Sequence, residues 1–239
     1  MATKIGFVTD VHGNAPALRT VLAELAREND LAHVYGAGDL IGIGPDTNEV
    51  LELLFGLPNF SSVAGNHEDC ILALLAGEVP NSPPGMEEHH QWIANELDRR
   101  FLPQLQALPR FLAPRHGDGE LFIAHYHLDT EQKLLPIDPE PTLAKLDVHY
   151  AESPAAAVLT GHHHDGHFFA RPGRVYLNPG ALGCGQQPVA RYAVLTLDEE
   201  RISVDRREVA YDWEGLLRSY RERNVPGGEF ILERVFGQA

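Results

Sequence analysis

This chain has little cysteine and no long apolar run. Cys70 and Cys184 are the only cysteines among its 239 residues, so no disulfide framework is indicated and a reducing cytoplasm is the expected compartment. No apolar stretch approaches the ~20 residues that a membrane-spanning helix needs. Residues 1–5 lead almost at once into a predicted strand, which leaves no room for a signal peptide. We therefore expect a cytoplasmic protein without a membrane partner.

Positive charge is also scarce. The chain has 19 lysines and arginines against 34 aspartates and glutamates, a formal net charge of −15. Nucleic-acid polymers and anionic membranes are bound by basic patches, so both partners are disfavoured. A small phosphorylated substrate is not excluded, because a metal centre reverses the local field. With 44% hydrophobic residues, the chain suits one large domain, 1–239, whose oligomeric state the sequence leaves open.

Potential metal ligands, by contrast, are abundant and ordered. A two-metal hydrolase needs carboxylate, imidazole and amide ligands that converge from several strand ends, which is where α/β proteins place their chemistry. No single segment is diagnostic, since an isolated Asp-x-His pair is common. The set as a whole predicts a metal site, because nearly every segment follows a short apolar run. The six segments are Asp10-Val11-His12, Gly38-Asp39, Gly65-Asn66-His67-Glu68, His125, Gly161-His162-His163-His164 and Asn178-Pro179-Gly180.

Hydrophobic spacing predicts an α/β order in the first third of the chain. Short apolar runs alternate with amphipathic stretches, which indicates a parallel sheet with helical connections. The predicted strands cover 4–9, 33–37 and 61–64, and the predicted helices cover 15–28, 48–55 and 68–76.

Residues 77–114 break this order with several prolines, and we predict a helical insertion beside the active face. It contains a helix over 87–100 and a shorter one before Pro109. After the insertion, paired runs separated by turns predict antiparallel hairpins, followed by a helical tail. The hairpins join 111–115 to 120–124, 168–170 to 175–177 and 192–196 to 202–208, and the tail helix covers 213–223.

Taken together, the six segments resemble the motifs D-x-H, G-D, G-N-H-[ED], H and G-H-x-H of the calcineurin-like metallophosphoesterase superfamily. All the motifs appear in order, from Lys4 to the region of Gly183. The run from Gly38 to Asp46, followed by Asn178-Pro179-Gly180, is similar to the small prokaryotic phosphodiesterase-like members. The resemblance implies an α/β fold, a four-layer sandwich of two mixed β-sheets flanked by helices.

The resemblance also implies a binuclear centre of two divalent ions, drawn from Mn, Fe, Zn, Ni and Mg, with Mn favoured. Asp39 would bridge the two ions, as a carboxylate can, and imidazole suits such metals, while no thiolate is on offer. One ion would be held by Asp10, His12, Asp39 and His164, and the other by Asp39, Asn66, His125 and His162.

The implied reaction is attack on phosphorus by a hydroxide that bridges the two ions. Two divalent ions contribute +4, and two aspartates with one hydroxide contribute −3, so the centre is near +1. His67 lies where the family places a transition-state residue, and protonation of the leaving group there is worth ~10²–10⁴-fold. Asp69 or a backbone carbonyl is expected to orient its ring.

The leading hypothesis is a phosphoesterase that favours diesters or other small phosphoesters. The arginines that protein phosphatases carry in their G-D-x-x-D-R-G and R-G-N-H-E motifs are absent from 38–44 and from Ala64, which disfavours a protein phosphatase. The alternatives are a phosphomonoesterase or a dinucleoside-polyphosphate hydrolase. A non-catalytic protein-binding scaffold is disfavoured because every inferred ligand and His67 are present.

The other histidines receive no ligand role. For His127, His163 and His167, lining of the substrate pocket and solvated or ligand-supporting roles both stay open. Solvated or core roles are expected for the rest, namely His33, His89, His90, His116 and His149.

Overall fold

Two mixed β-sheets pack face to face in the computed structural model, which describes residues 2–116, 119–198 and 201–238. Their facing sides share one buried layer, with Ile5 and Phe7 from one sheet against Ile123 and Leu177 from the other. Helices cover the two outer faces. The predicted fold class is therefore confirmed.

The first sheet contains the parallel strands that the sequence predicted. Its strands are β1 (Thr3–Val8), β2 (Leu31–Gly36), β3 (Phe60–Ser62), β10 (Val189–Leu197) and β11 (Ile202–Ala210). They lie in the order β11-β10-β1-β2-β3, with β10 antiparallel to β1. Three helices follow the parallel strands and pack on the outer face, namely α1 (Ala15–Leu25), α2 (Thr47–Phe55) and α3 (Asn66–Ala76).

The second sheet corrects the expectation that all later strands pair antiparallel. Its strands are β4 (Phe111–Leu112), β5 (Arg115–His116), β6 (Gly119–Ala124), β7 (Ala157–Leu159), β8 (His167–Arg171) and β9 (Arg174–Asn178). The three predicted hairpins are present, but β6, β7 and β9 run parallel to one another. Helix α6 (Leu143–His149) precedes β7, and neither element was predicted. The predicted turns at 117–119 and 198–200 lie partly outside the described residues.

The insertion packs into the same core as the first three helices. Ile93, Phe101 and Leu105 join Leu18 and Leu51 in one buried cluster, and burying each such side chain stabilises the fold by ~1.5–3 kcal/mol. Helix α4 (Glu87–Glu96) ends before residue 100, because Leu97 adopts an extended conformation. A 3-10 turn (Arg99–Phe101) and helix α5 (Leu102–Gln106) follow.

The tail contains two helices where one was predicted. Helix α7 (Trp213–Glu222) agrees with the prediction, and α8 (Gly228–Phe236) replaces the expected short final segment. Tyr220 and Phe236 from these helices pack together in a buried cluster that includes Ile43. Within the described ranges, no helix combines the length and the apolar character that crossing a membrane requires.

Candidate metal centre

The seven predicted ligands meet at the carboxyl ends of strands from both sheets. Parallel strands end at the same edge, so residues that directly follow them are brought together. Each predicted ligand lies within the first few residues after a strand. Asp10 and His12 follow β1, Asp39 follows β2, Asn66 follows β3, His125 follows β6, and His162 and His164 follow β7.

One group of donor atoms surrounds His12. Its Nε2 atom lies 2.9 Å from Nε2 of His164, and 3.8 Å from both Asp10 Oδ1 and Asp39 Oδ2. Asp10 Oδ1 is 3.5 Å from His164 Nε2. These are the four residues predicted for the first ion.

A second group surrounds His125. Its Nε2 atom lies 2.9 Å from Asn66 Oδ1, 3.0 Å from His162 Nδ1 and 3.2 Å from Asp39 Oδ2. The same Asp39 oxygen therefore faces both groups. These four residues are the set predicted for the second ion.

The donor set fits divalent ions, because two rings are held with the correct nitrogen turned inward. Nδ1 of His125 lies 2.7 Å from the Ala37 carbonyl, and Nδ1 of His12 lies 3.3 Å from the Ile41 carbonyl. A carbonyl only accepts hydrogen bonds, so Nδ1 carries the hydrogen and Nε2 is the nitrogen that an ion can coordinate. Oxygen and imidazole ligands in this mixture suit Mn, Fe and Zn.

Backbone strain is concentrated at the same residues. In the described chain, eight non-glycine residues have a positive φ, and five of them are Asp10, His12, Asp39, His162 and His164, with φ between 49° and 67°. A non-glycine residue in this region is uncommon and costs free energy that the surrounding fold must offset. Such outliers cluster at functional sites, which supports a function for this edge of the sheets.

The two aspartates stay ionised despite complete burial. Burial raises the pKa of Asp10, but His164 outweighs it and lowers that pKa to about 2. Burial likewise raises the pKa of Asp39, yet His125 and His67 hold it well below its usual range. Burial lowers the pKa of His125, but Asp39 raises it to about 10. The metal-free site therefore holds a proton on His125, which a bound ion would replace.

Glu68 holds the backbone of two loops that carry predicted ligands, a role that the sequence did not reveal. It is fully buried, and its Oε2 accepts the N–H groups of Asp39 and Gly65 at 2.8 and 2.7 Å. Its Oε1 accepts those of Leu40 and Ile41 at 2.8 and 3.2 Å. Burial, reinforced by Asp39, raises the pKa of Glu68 to about 7. One side chain thus joins the loop after β2 to the loop after β3.

We expect Glu68→Gln to destabilise the metal-free protein by ~2–4 kcal/mol, because the amide NH₂ replaces an acceptor that serves two buried N–H groups. Urea denaturation of metal-free protein measures this change. Glu233→Gln, at an exposed position on α8, is the control and should change stability by less than ~0.5 kcal/mol. Equal stabilities of the two variants would contradict the supporting role of Glu68.

Asn178 has a structural role and not a metal-binding one. Its amide donates to the Gly161 carbonyl at 3.0 Å, and its Oδ1 accepts the Gly180 N–H at 2.8 Å. These bonds fix the loop that carries His162 and His164. The sixth sequence segment therefore contributes to the site by holding the backbone of neighbouring loops, through the side chain of Asn178.

His67 is buried at the edge of the centre. Its backbone N–H donates to Asp39 Oδ1 at 2.9 Å, and its ring centroid is 4.9 Å from that of His12. The expectation that Asp69 or a backbone carbonyl orients the ring is wrong. Asp69 pairs with Arg110 at 2.6 Å, and Nδ1 of His67 lies 3.2 Å from Nε2 of His90.

Cys184 places a sulfur beside the predicted ligands, but as a thiol and not as a thiolate. Its sulfur and ring nitrogens of His12 and His164 lie within 4.8 Å of one another. Burial, reinforced by Asp10 and Asp39, raises the pKa of this thiol well above its ordinary value. The structure thus places a protonated thiol beside the first group of donors, and no motif in the sequence indicated it.

The three unassigned histidines lie beyond the ligands. His127 is buried, and its Nδ1 lies 3.0 Å from the Tyr150 hydroxyl. His163 and His167 are partly buried, and in the described structure the Nδ1 atom of each has no hydrogen-bond partner. His127 is therefore not solvated, whereas the roles of the other two stay open.

Proteins of known structure share this fold. A metallophosphoesterase from Sphaerobacter thermophilus has a TM-score of 0.73 at 25% identity, with 98% of each chain covered. A hypothetical protein from Pyrococcus horikoshii has a TM-score of 0.83 at 19% identity, with 99% of this chain and 100% of that chain covered. The symmetrical bis(5'-nucleosyl)-tetraphosphatase of Serratia proteamaculans is 35% identical over 77 residues, which are 32% of this chain and 27% of that enzyme.

A family model covers most of the sequence. The calcineurin-like phosphoesterase superfamily domain matches residues 3–200, a range that includes all seven predicted ligands and His67. The first three parallel strands, the second sheet and the loops that carry the donors all fall within that range. This chain therefore belongs to the calcineurin-like phosphoesterase superfamily.

Proposed function

We propose that this protein is a metal-dependent phosphoesterase that hydrolyses small phosphodiesters with two divalent ions, of which Mn is favoured over Fe, Zn, Ni and Mg. The observation that carries the proposal is the pair of donor groups that share Asp39 Oδ2. One ion is assigned to Asp10, His12, Asp39 and His164, and the other to Asp39, Asn66, His125 and His162.

When bound, two such ions would supply a hydroxide nucleophile near neutral pH and positive charge for the phosphoryl oxygens. The protein's own residues then have separate tasks. Asp10 and Asp39 contribute two negative charges, which leaves a net positive pocket for an anionic substrate. In its charged form, His67 transfers the Nε2 proton to the leaving oxygen and is left as a neutral ring, with Nδ1 facing His90.

Metal analysis combined with a phosphoester panel tests this proposal. The purified protein should bind two ions per chain and hydrolyse at least one phosphoester in Mn²⁺, Mg²⁺, Zn²⁺ or Fe²⁺. A folded protein that binds no metal and hydrolyses no member of the panel would favour the non-catalytic scaffold. The cytoplasmic location and the single-domain organisation stay predictions.

The diester preference rests on the loop arginines that could reach the pocket to bind a phosphate. The sequence leaves four such candidates, Arg115, Arg171, Arg174 and Arg191, and each has other partners in the described structure. Arg115 pairs with Glu120, Arg171 with Asp147 and Arg191 with Glu208, while Arg174 donates to the backbone carbonyls of residues 150 and 155. A monoester dianion carries one more negative charge than a diester, so it profits more from such a clamp.

We therefore expect a higher kcat/KM for bis(4-nitrophenyl) phosphate and for 2′,3′-cyclic nucleotides than for the matching monoesters. The comparison holds the metal constant and measures initial rates. A clear monoester preference would overturn the diester proposal and favour the phosphomonoesterase alternative. Faster turnover of a dinucleoside tetraphosphate would favour the second alternative, which the partial similarity to a tetraphosphatase supports.

A further inference from the structure

A line of side-chain contacts runs from His67 into the helical insertion. Nδ1 of His67 lies 3.2 Å from Nε2 of His90, and Nδ1 of His90 lies 2.8 Å from the Ser82 hydroxyl. The Ser82 oxygen lies 3.3 Å from the Cys70 sulfur. His90 comes from α4 and Ser82 from the loop before it, so the insertion supplies both central members.

His90 is fixed in place more firmly than an ordinary surface side chain. It is completely buried, its ring is at 85° to that of His67, and its N–H donates to the Met86 carbonyl at 2.8 Å. The preceding residue, His89, contacts the Pro226 carbonyl through Nδ1 at 3.2 Å. Helix α4 is thus held by contacts on more than one side.

The loop after β2 leaves room for this pair. Gly42 has a φ of +117°, and a Cβ atom at that position would overlap Nδ1 of His67. A larger residue there would move the ring of His67 or separate it from His90. The absence of a side chain at Gly42 therefore lets the ring of His67 lie where its Nδ1 contacts His90.

We propose that His90 is a positioning residue that holds His67 with its Nε2–H directed at the leaving oxygen. This inference rests on the proposed phosphoesterase function. A neutral imidazole carries one N–H, so a hydrogen bond received at Nδ1 places the hydrogen on Nε2.

The contacts beyond His90 are compatible with that direction. Burial raises the pKa of the Cys70 thiol, so its sulfur keeps a hydrogen that it can donate to the Ser82 oxygen. The Ser82 hydroxyl then donates to Nδ1 of His90, and Nε2–H of His90 donates to Nδ1 of His67. In this neutral state every member donates toward the centre, and the last hydrogen in the series lies on Nε2 of His67. When His67 takes up a second proton, its Nδ1–H donates to His90 instead, and Nε2–H keeps its direction.

Two substitutions of His90 separate its two contacts. In Gln, the amide reaches the position of Nε2, so His90→Gln retains a partner for His67. In Asn, the amide reaches only the position of Nδ1, so His90→Asn retains the contact with Ser82 and loses that with His67. Both variants carry a side-chain amide, so a difference between them reports only whether that amide reaches the position of Nε2 or that of Nδ1.

With metal-loaded protein, we expect His90→Asn to lower kcat by ~10-fold or more without changing KM or metal content, by analogy with groups that orient metal-binding histidines. His90→Gln should stay within ~3-fold of the wild type. In a His67→Ala background, His90→Asn should have no further effect on kcat, because the two residues act through one interaction. Equal losses in the Asn and Gln variants, or an additive loss in that background, would overturn the proposal.

A second measurement does not depend on activity. Nitrogen NMR of the full-length chain labelled in histidine, metal-free and loaded with Zn²⁺, reports the tautomer of His67, whose signal is identified by its loss in His67→Ala. We expect the Nε2–H tautomer in the wild type and in His90→Gln, and a mixture in His90→Asn. An unchanged tautomer in His90→Asn would refute the inference. Wild-type protein without phosphoesterase activity would refute the proposed function, and the NMR result would still decide the role of His90.

Discussion

Asp39→Asn is expected to abolish phosphoester hydrolysis and to reduce the bound metal below two ions per chain while the protein stays folded. Asp39 Oδ2 lies 3.8 Å from His12 Nε2 and 3.2 Å from His125 Nε2, so one carboxylate serves both donor groups. An amide is uncharged, and when its single oxygen takes the position of Oδ1, its NH₂ group occupies the position of Oδ2 and cannot bind a cation. That oxygen can still accept the His67 N–H, which explains why the fold should survive.

Elemental analysis, circular dichroism and kcat test this expectation together. Asp165→Asn provides the matched control, because Asp165 is exposed in the loop directly after His164 and is no predicted ligand. The control should bind two ions and retain activity. A fully metallated and active Asp39→Asn protein would disprove the bridging assignment.

His67→Ala should keep most of its metal and lose kcat by ~10²-fold or more, the range for a lost general acid. The reason is that His67 contacts the ligand set without belonging to it. Its N–H donates to Asp39, and its ring packs against that of His12. Its task therefore lies in the transition state, and KM should change little.

The leaving group discriminates between two roles of His67. An activated aryl ester needs no proton on departure, so its hydrolysis should slow less than that of an alkyl ester. His149→Ala removes an exposed imidazole that contacts Tyr150 and His127, outside the ligand set, and should leave both rates unchanged. Equal losses for the two esters in His67→Ala would indicate electrostatic stabilisation without proton transfer.

The resemblance to a known superfamily implied the seven predicted ligands, and the structure places each within the first few residues after a strand. Periodicity locates β1 and β2, and their ends place Asp10 and Asp39 at one edge. The partners of these residues left no such pattern. His90 lies 23 residues from His67, and Glu68 reaches the Asp39 N–H across 29 residues. Contacts of that kind depend on how α4 and the loops pack in three dimensions. The spacing of residues along the sequence carries no information about this packing.

The parts of the fold that were missed have equally specific causes. Strand β7 has three residues, Ala157–Leu159, which is too short to show a strand period. Helix α8 begins at Gly228 directly after Pro226 and Gly227, a combination that normally marks a turn. Buried contacts of Ile231 and Phe236 with α7 stabilise this helix in spite of its glycine start. Tertiary packing therefore outweighed local propensity at α8, whereas β7 was missed because of its length.

The left-handed backbone at five of the predicted ligands lowers the stability of the fold at the residues that the proposed metal site needs. Each non-glycine residue in that conformation costs roughly 1–3 kcal/mol, which glycine would avoid. Glycine at His12 or His164 would relax the loop and remove a predicted donor, so a gain in stability would weaken the proposed metal site. At these positions, selection for stability alone would therefore remove donors from the proposed metal centre.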